Sequence, residues 1–290
     1  MMDNEEKTLR LIMPQWQGGN NLSYHFGAQL LAWLAPPTDD ETIEVPISTD
    51  PTNDEKEEGI VAKKQIIKQT SLALNILHER NPDRVVVLGG DCSVELAPFA
   101  YLTEKYKEEL AILWIDAHPD IKTAELYPHY HAMVLATLLG EGDPNFASLV
   151  PRKVNPSNLL FVGINDEKEK APSVYEKYKF PNVSSEEFAS SSENVLAALR
   201  ATGASRIAVH FDLDVLDLRE FRSQGIAKPE RYGEYVSKGL KRSSIQSVTR
   251  LIQDVSNEFD IVGLGITEHL PWDALTLSNM LNNLPLLKKH

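Results

Sequence analysis

Seven short apolar runs, each closed by turn residues, constrain the fold of this chain more than any other feature. They are LRLIM (9–13), IEVPI (43–47), RVVVL (84–88), LAILWI (110–115), NLLFVGI (158–164), RIAVHF (206–211) and DIVGLGI (260–266), with a weaker candidate near Val183. Most are continuously apolar rather than alternating, the pattern of strands covered on both faces. Segments of helical period fall between them. Residues 59–80 carry Ile60, Lys63, Lys64, Ile67, Leu74 and Leu77 at amphipathic spacing. Residues 191–203 offer a Ser cap, a helical body and a closing Gly203, and 244–255 repeat the pattern. Strand–helix alternation of this kind predicts an α/β fold with a parallel, doubly wound sheet. With no internal repeat and no low-complexity linker, residues 1–290 are expected to form a single domain.

The chemistry gathers at the ends of the strong runs. RVVVLGG leads into Asp91-Cys92, and LAILWI into Asp116-Ala117-His118-Pro119-Asp120. RIAVHF leads into Asp212-Leu213-Asp214 and Asp217, and DIVGLGI into Thr267-Glu268-His269. In open α/β sheets ligands bind at the carboxyl ends of the strands, so four strands would deliver ionisable groups to one edge. Carboxylates gathered there repel one another and resist desolvation unless a cation balances them. Asp116, His118, Asp120, Asp212 and Asp214 supply more oxygen and nitrogen donors than one open catalytic ion needs, and suit a bridged pair. Asp217 reads as a surface or turn residue, and His210, inside a strand pattern, as core or as support behind the ligands.

Composition narrows the partners. There are 42 acidic against 29 basic residues, a formal net charge of −13, which disfavours nucleic acid and anionic membrane. No apolar stretch approaches the roughly 20 residues of a membrane span. The start MMDNEEKTLR is acidic and leads straight into a short apolar segment, whereas a secretory signal needs a basic start and a longer apolar core, so none is expected. Cys92 is the single cysteine, so no intrachain disulfide can form, which suits a reducing compartment. A cytoplasmic protein acting on a small molecule is the expectation.

The segments GGDCS (89–93), DAHPD (116–120) and HFDLDVLD (210–217) resemble, in order and spacing, the motifs of the ureohydrolases: arginase, agmatinase, formimidoylglutamase and relatives. The resemblance covers about residues 84 to 270. It implies a three-layer α/β/α fold with a mostly parallel sheet of about eight strands, and hydrolysis of a C–N bond in a guanidino or amidino compound by solvent activated between two divalent ions, Mn²⁺ foremost. It further implies that Asp116 and Asp212 bridge the ions, that Asp120 completes the first site, and that His118 and Asp214 complete the second. Asp120 is thereby counted with the catalytic groups. His131 in YHAM resembles the family's proton-shuttling histidine, and Glu268 in GITEHLP its guanidinium-holding acid. Family members are often trimers or hexamers, which makes a homo-oligomer the corresponding expectation.

The chain also departs from the family pattern. Cys92 stands where the family has a histidine ligand of the first metal, and His210 where it usually has serine. The Asp-Pro and Gly-rich run that normally follow the third motif are missing from LDLREFRSQGIAKPERYG. Lys122 follows DAHPDI where arginases place Asn. Asn165 and Lys168 in GINDEK replace a common Arg and an acid. Lysines at the mouth would favour an acidic or modified substrate tail over free L-arginine. Cys92 is open to three roles. It could be a nucleophile; a thiolate ligand, as in relatives acting on hydroxylated arginine, favouring Zn²⁺, Fe²⁺ or Co²⁺ over Mn²⁺; or a spectator that leaves the second site as a single-metal centre like that of the deacetylases sharing this fold. Amide hydrolysis with one metal, or a catalytically silent binding or assembly protein, are the alternatives to guanidino hydrolysis.

Overall fold

The computed structural model describes residues 6–50, 55–164, 173–230, 233 and 242–284. Asn165 and Lys168 lie outside them. An eight-stranded sheet is built from β1 (Thr8–Met13), β2 (Glu41–Glu44), β5 (Arg84–Gly89), β6 (Leu110–Ile115), β7 (Leu159–Val162), β8 (Asn182–Val183), β9 (Arg206–Asp212) and β10 (Asp260–Thr267). A separate hairpin joins β3 (Lys56–Glu57) and β4 (Ile60–Val61). The sheet order is β2-β1-β5-β10-β9-β6-β7-β8, and every neighbouring pair is parallel. This is the predicted doubly wound arrangement, with helices on both faces. The first of those helices are α1 (Ser23–Leu34), α2 (Lys63–Arg80) and α3 (Leu96–Tyr106).

Alternation along the strands divides the core in two. Ile112 and Trp114 of β6 join Leu9, Leu11, Val85, Val87 and Ala208 in one apolar cluster. That cluster is covered by α2 and α3. Ala111, Leu113 and Ile115 point the other way, with Ile207 and Val209. They pack against the helix Glu193–Thr202 and the long helix Ile245–Glu258. Strands buried on both faces need apolar residues at every position, which is why the sequence runs are continuous.

The structure adjusts several sequence boundaries. The run at 43–47 pairs instead as Glu41–Glu44, and residues 60–61 belong to the hairpin, so α2 begins at Lys63. Gly203 closes the helix Glu193–Thr202 in the left-handed conformation at φ 74°, as expected. Ser192 precedes that helix without capping it, because its hydroxyl donates to Asp254 Oδ2 at 2.6 Å. Six described helices fall outside the segments marked by sequence periodicity: α1, α3, Val134–Leu138, Pro144–Ala147, Ser173–Tyr178 and Trp272–Leu281. In α3 the cause is clear: residues Leu96 to Thr103 are all buried, so no polar face marks the period. Among the described residues no helix is long and apolar enough to cross a membrane.

Candidate metal centre

The four strands with ionisable ends, β5, β10, β9 and β6, are consecutive in the sheet. Register aligns their ends, with Leu88 beside Ile266, Thr267 beside Asp212 and Ile115 beside Phe211. Three of the four ends share one local device. Asp91, Asp116 and Asp212 each accept the backbone N–H two residues on, from Ser93 at 3.0 Å, His118 at 2.7 Å and Asp214 at 2.6 Å. An aspartate that turns its own backbone this way stops the strand and folds the next side chains back toward it. The D-x-H and D-x-D spacings therefore place both members of each pair at one point. At β5 the chain needs Gly90, since a Cβ there would lie 1.8 Å from the Gln15 carbonyl oxygen.

Two groups of donor atoms result, each with all members within 4.8 Å of one another. One comprises Cys92, Asp116, His210 and Asp212; the other Asp116, His118, Asp212 and Asp214. Asp116 and Asp212 belong to both, the relation expected of bridging ligands. His118 Nδ1 lies 3.0 Å from Asp214 Oδ2 and 3.5 Å from Asp116 Oδ1. Arg242, from beyond the third motif, reaches Asp214 Oδ1 at 3.3 Å. Asp120 lies outside both groups, although its Oδ2 is buried and without a hydrogen-bond partner. Its φ of +43° is a left-handed conformation that costs a non-glycine residue energy. His210, read from the sequence as core or support, instead enters the first group.

Cys92 is 1% exposed, and its Sγ sits 3.4 Å from Asp212 Oδ2 and 3.6 Å from Glu268 Oε1. Glu268, at φ +66°, turns back from the end of β10 so that its Oε1 accepts the Cys92 N–H at 3.2 Å. Tyr24, which no sequence motif marks, is brought from α1 to the same cavity as Glu268. These residues line a cavity of about 480 Å³ with His118, Asp120, Asp212, Asp214, Lys122, Tyr127 and His131. Lys122 Nζ lies 4.8 Å above the Tyr127 ring. His131 Nδ1 lies 3.0 Å from the Gly18 carbonyl oxygen. The residues assigned from the sequence to ligation, proton transfer or substrate contact thus meet at one cavity, with the fully buried Asp116 joining it through both donor groups.

Electrostatics separates the groups. Burial, reinforced by Asp214 and Asp116, pushes Asp212 well above the usual carboxylate range. Burial and the Asp116 charge do the same to Asp120, and burial with the Asp91 charge to Glu268. Burial and the surrounding carboxylates also raise the Cys92 thiol, opposite to what an activated nucleophile requires. Asp116 is lowered instead: burial opposes ionisation there, but His118 and His210 outweigh it. A cation among such donors reverses the balance for all of them. The unpartnered Asp120 Oδ2 and His210 Nε2 and the shared carboxylates fit two divalent ions.

The chain resembles known proteins in both sequence and fold. A model of the arginase family matches residues 31–271. The arginase of Bacillus caldovelox is 37% identical over 91 residues, 29% of this chain and 30% of that protein. The arginase of Entamoeba histolytica is 33% identical over 84 residues, 28% of each. The aligned stretches thus span less than a third of these relatives' lengths. The fold extends much further. The Entamoeba histolytica arginase structure, in complex with L-ornithine, superposes with a TM-score of 0.76 at 18% identity, over 92% of this chain and 91% of that one. For arginase and formimidoylglutamase from Bacillus subtilis the TM-scores are 0.71 and 0.65, at 20% and 15% identity. They cover 97% and 93% of this chain, and 100% and 81% of theirs. A family match from residue 31 to 271, carried on this sheet and this cluster of strand ends, makes the chain a member of the arginase family.

Proposed function

We propose that the protein hydrolyses a C–N bond of a guanidino or amidino compound with two divalent ions held by the strand-end cluster. The observation that carries the reading is that Asp116 and Asp212 belong to both donor groups, at a cavity that also contains Glu268 and His131. A single-metal amide hydrolase would use Asp116, His118 and Asp214 and leave the Cys92 side without a task. When bound, the pair of ions supplies the Lewis acidity that activates water near neutral pH.

The chain's own residues supply the rest. Glu268 faces the cavity as an acceptor matched to a planar, cationic guanidinium. Its left-handed backbone and the bond from Cys92 N–H hold it in place. Tyr24 lines the same cavity. His131, lowered to about 4 chiefly by burial, is neutral at physiological pH and can take up a proton and release it to the departing amine. Lys122, on the same cavity, favours a substrate with an acidic or otherwise modified tail. Asp120 offers a further carboxylate for the first ion beside Cys92. The L-ornithine held by the Entamoeba arginase is consistent with a substrate of amino-acid size. Mn²⁺ suits the second, oxygen- and nitrogen-rich position, whereas the thiol of Cys92 opens the first to Zn²⁺, Fe²⁺ or Co²⁺.

The test is urea or amine release from a panel of guanidino and amidino compounds, with Mn²⁺, Zn²⁺, Fe²⁺ or Co²⁺ added to chelator-treated protein. Turnover of at least one acidic-tailed member, dependent on metal, is the expected result. Failure of every metal and substrate, together with no retained metal by elemental analysis, would sink the reading.

A further inference from the structure

His210 is a buried imidazole for which the proposed hydrolysis has no use, and its surroundings are specific. It lies on β9 beside Trp114 of β6, in register, with the rings stacked at a centroid distance of 3.7 Å. It is fully buried, and its Nε2 has no hydrogen-bond partner. That residue falls in the donor group with Cys92 Sγ and carboxylate oxygens of Asp116 and Asp212. Asp116 Oδ2 is 3.8 Å from Nε2, too far for a hydrogen bond. The other nitrogen, Nδ1, lies 3.4 Å from Oε1 of Glu95, an equally buried carboxylate from the turn that precedes α3.

Room for that carboxylate is provided by β10. Gly265 is the register neighbour of His210, and a Cβ at this position would lie 1.5 Å from Glu95 Oε1. A carboxylate on one imidazole nitrogen, with the other aimed among anionic donors, is the arrangement by which proteins fix a metal-binding histidine. Trp114 completes the frame. It stacks on His210 and donates from Nε1 to Asp116 Oδ2 at 3.0 Å, so a single indole orients two donors of the first group.

We propose that His210 ligates the first metal through Nε2 together with Cys92, Asp116 and Asp212, and that Glu95 is the residue that positions it. The imidazole absent at position 92 is thereby supplied from the middle of the sheet. The first position becomes a thiolate–imidazole–carboxylate site taking a softer cation than the second, since thiolate and imidazole donors suit zinc, iron and cobalt. This rests on the metal-dependent reading, which would stand without it.

The test is metal binding rather than turnover. Chelator-treated protein is titrated with Co²⁺ and followed by elemental analysis and by the sulfur-to-cobalt charge-transfer band that marks thiolate ligation. Two ions per chain are expected, one of them producing the band. Cys92→Ser should abolish the band. His210→Gln should weaken the band-forming site at least tenfold, and Glu95→Gln roughly ten- to hundredfold, with the other site unchanged in both. X-ray absorption of the Zn²⁺-loaded wild-type protein gives the same answer without any substitution. A sulfur scatterer at about 2.3 Å and an average of one imidazole per ion support the proposal. Sulfur with only half an imidazole per ion overturns it and leaves the hydrolase reading intact, as do unaltered cobalt affinities in the two variants. No metal uptake at all by wild-type protein overturns both.

Discussion

Trp114 Nε1 donates a hydrogen bond to Asp116 Oδ2 at 3.0 Å, in a part of the core where neither residue is exposed. Two residues apart on one strand end, they occupy the same face, so the indole beneath the cavity orients the carboxylate shared by both donor groups. We predict that Trp114→Phe, which keeps an aromatic ring but loses the donor, lowers metal affinity roughly ten- to hundredfold. Competition titration against a chromophoric chelator measures this. Unchanged affinity would reduce Trp114 to a packing residue.

The shared and unshared aspartates should behave differently. Asp212→Asn removes a donor from both groups, whereas Asp214→Asn removes one from the second alone. We predict loss of tight binding of both ions in the former and retention of one ion per chain in the latter. Elemental analysis after gel filtration distinguishes the two, and equal stoichiometry in both variants would contradict the bridged arrangement.

His131 gives a prediction with a pH sign. Burial lowers its folded value to about 4, against about 6.5 when unfolded. As pH falls the unfolded chain takes up the proton first. The stability contributed by neutral His131 is therefore whole above about pH 6.5 and is lost as pH falls from there through about 4. In metal-free protein, His131→Asn should lose less urea resistance than wild type across that window. The same variant should lower kcat about 10²–10⁴-fold without changing metal content. An undiminished kcat would remove His131 from proton transfer.

Gly265 has no freedom to grow. A Cβ would collide with the Glu95 carboxylate, which is itself enclosed. We predict that Gly265→Ala destabilises the fold by about 1–3 kcal/mol, the usual range for overpacking, and weakens the Cys92-side metal. Thermal unfolding and cobalt titration measure the two effects. Gly203→Ala, at a left-handed helix end with open space around it, should change stability only and leave metal binding intact.

Much of this molecule is legible without coordinates, for a physical reason. A strand buried on both faces must be apolar throughout, so RVVVL, LAILWI, RIAVHF and DIVGLGI announce themselves. An aspartate that caps its own strand must be followed two residues on by the group it folds back, so D-x-H and D-x-D are readable as pairs. The alternation of such runs with helical segments suffices for a parallel doubly wound sheet, and the ordered motifs suffice for the family resemblance.

What only the tertiary structure decided is adjacency. Nothing local states that β5, β10, β9 and β6 lie side by side, because strand order depends on which crossovers pack, not on the composition of any one strand. That order brings Cys92 against Asp212, 120 positions later in the chain. His210 resembles a core histidine because its neighbours in sequence are apolar. Its character comes from Glu95, Trp114 and Gly265, which reach it from a turn and two other strands. Tyr24 carries no sequence signal for the same reason, since a tyrosine on an ordinary helix becomes part of the site only because the fold brings it to the same cavity as Glu268. Sequence determined which groups stand at the strand ends, and packing decided which of them share one cavity.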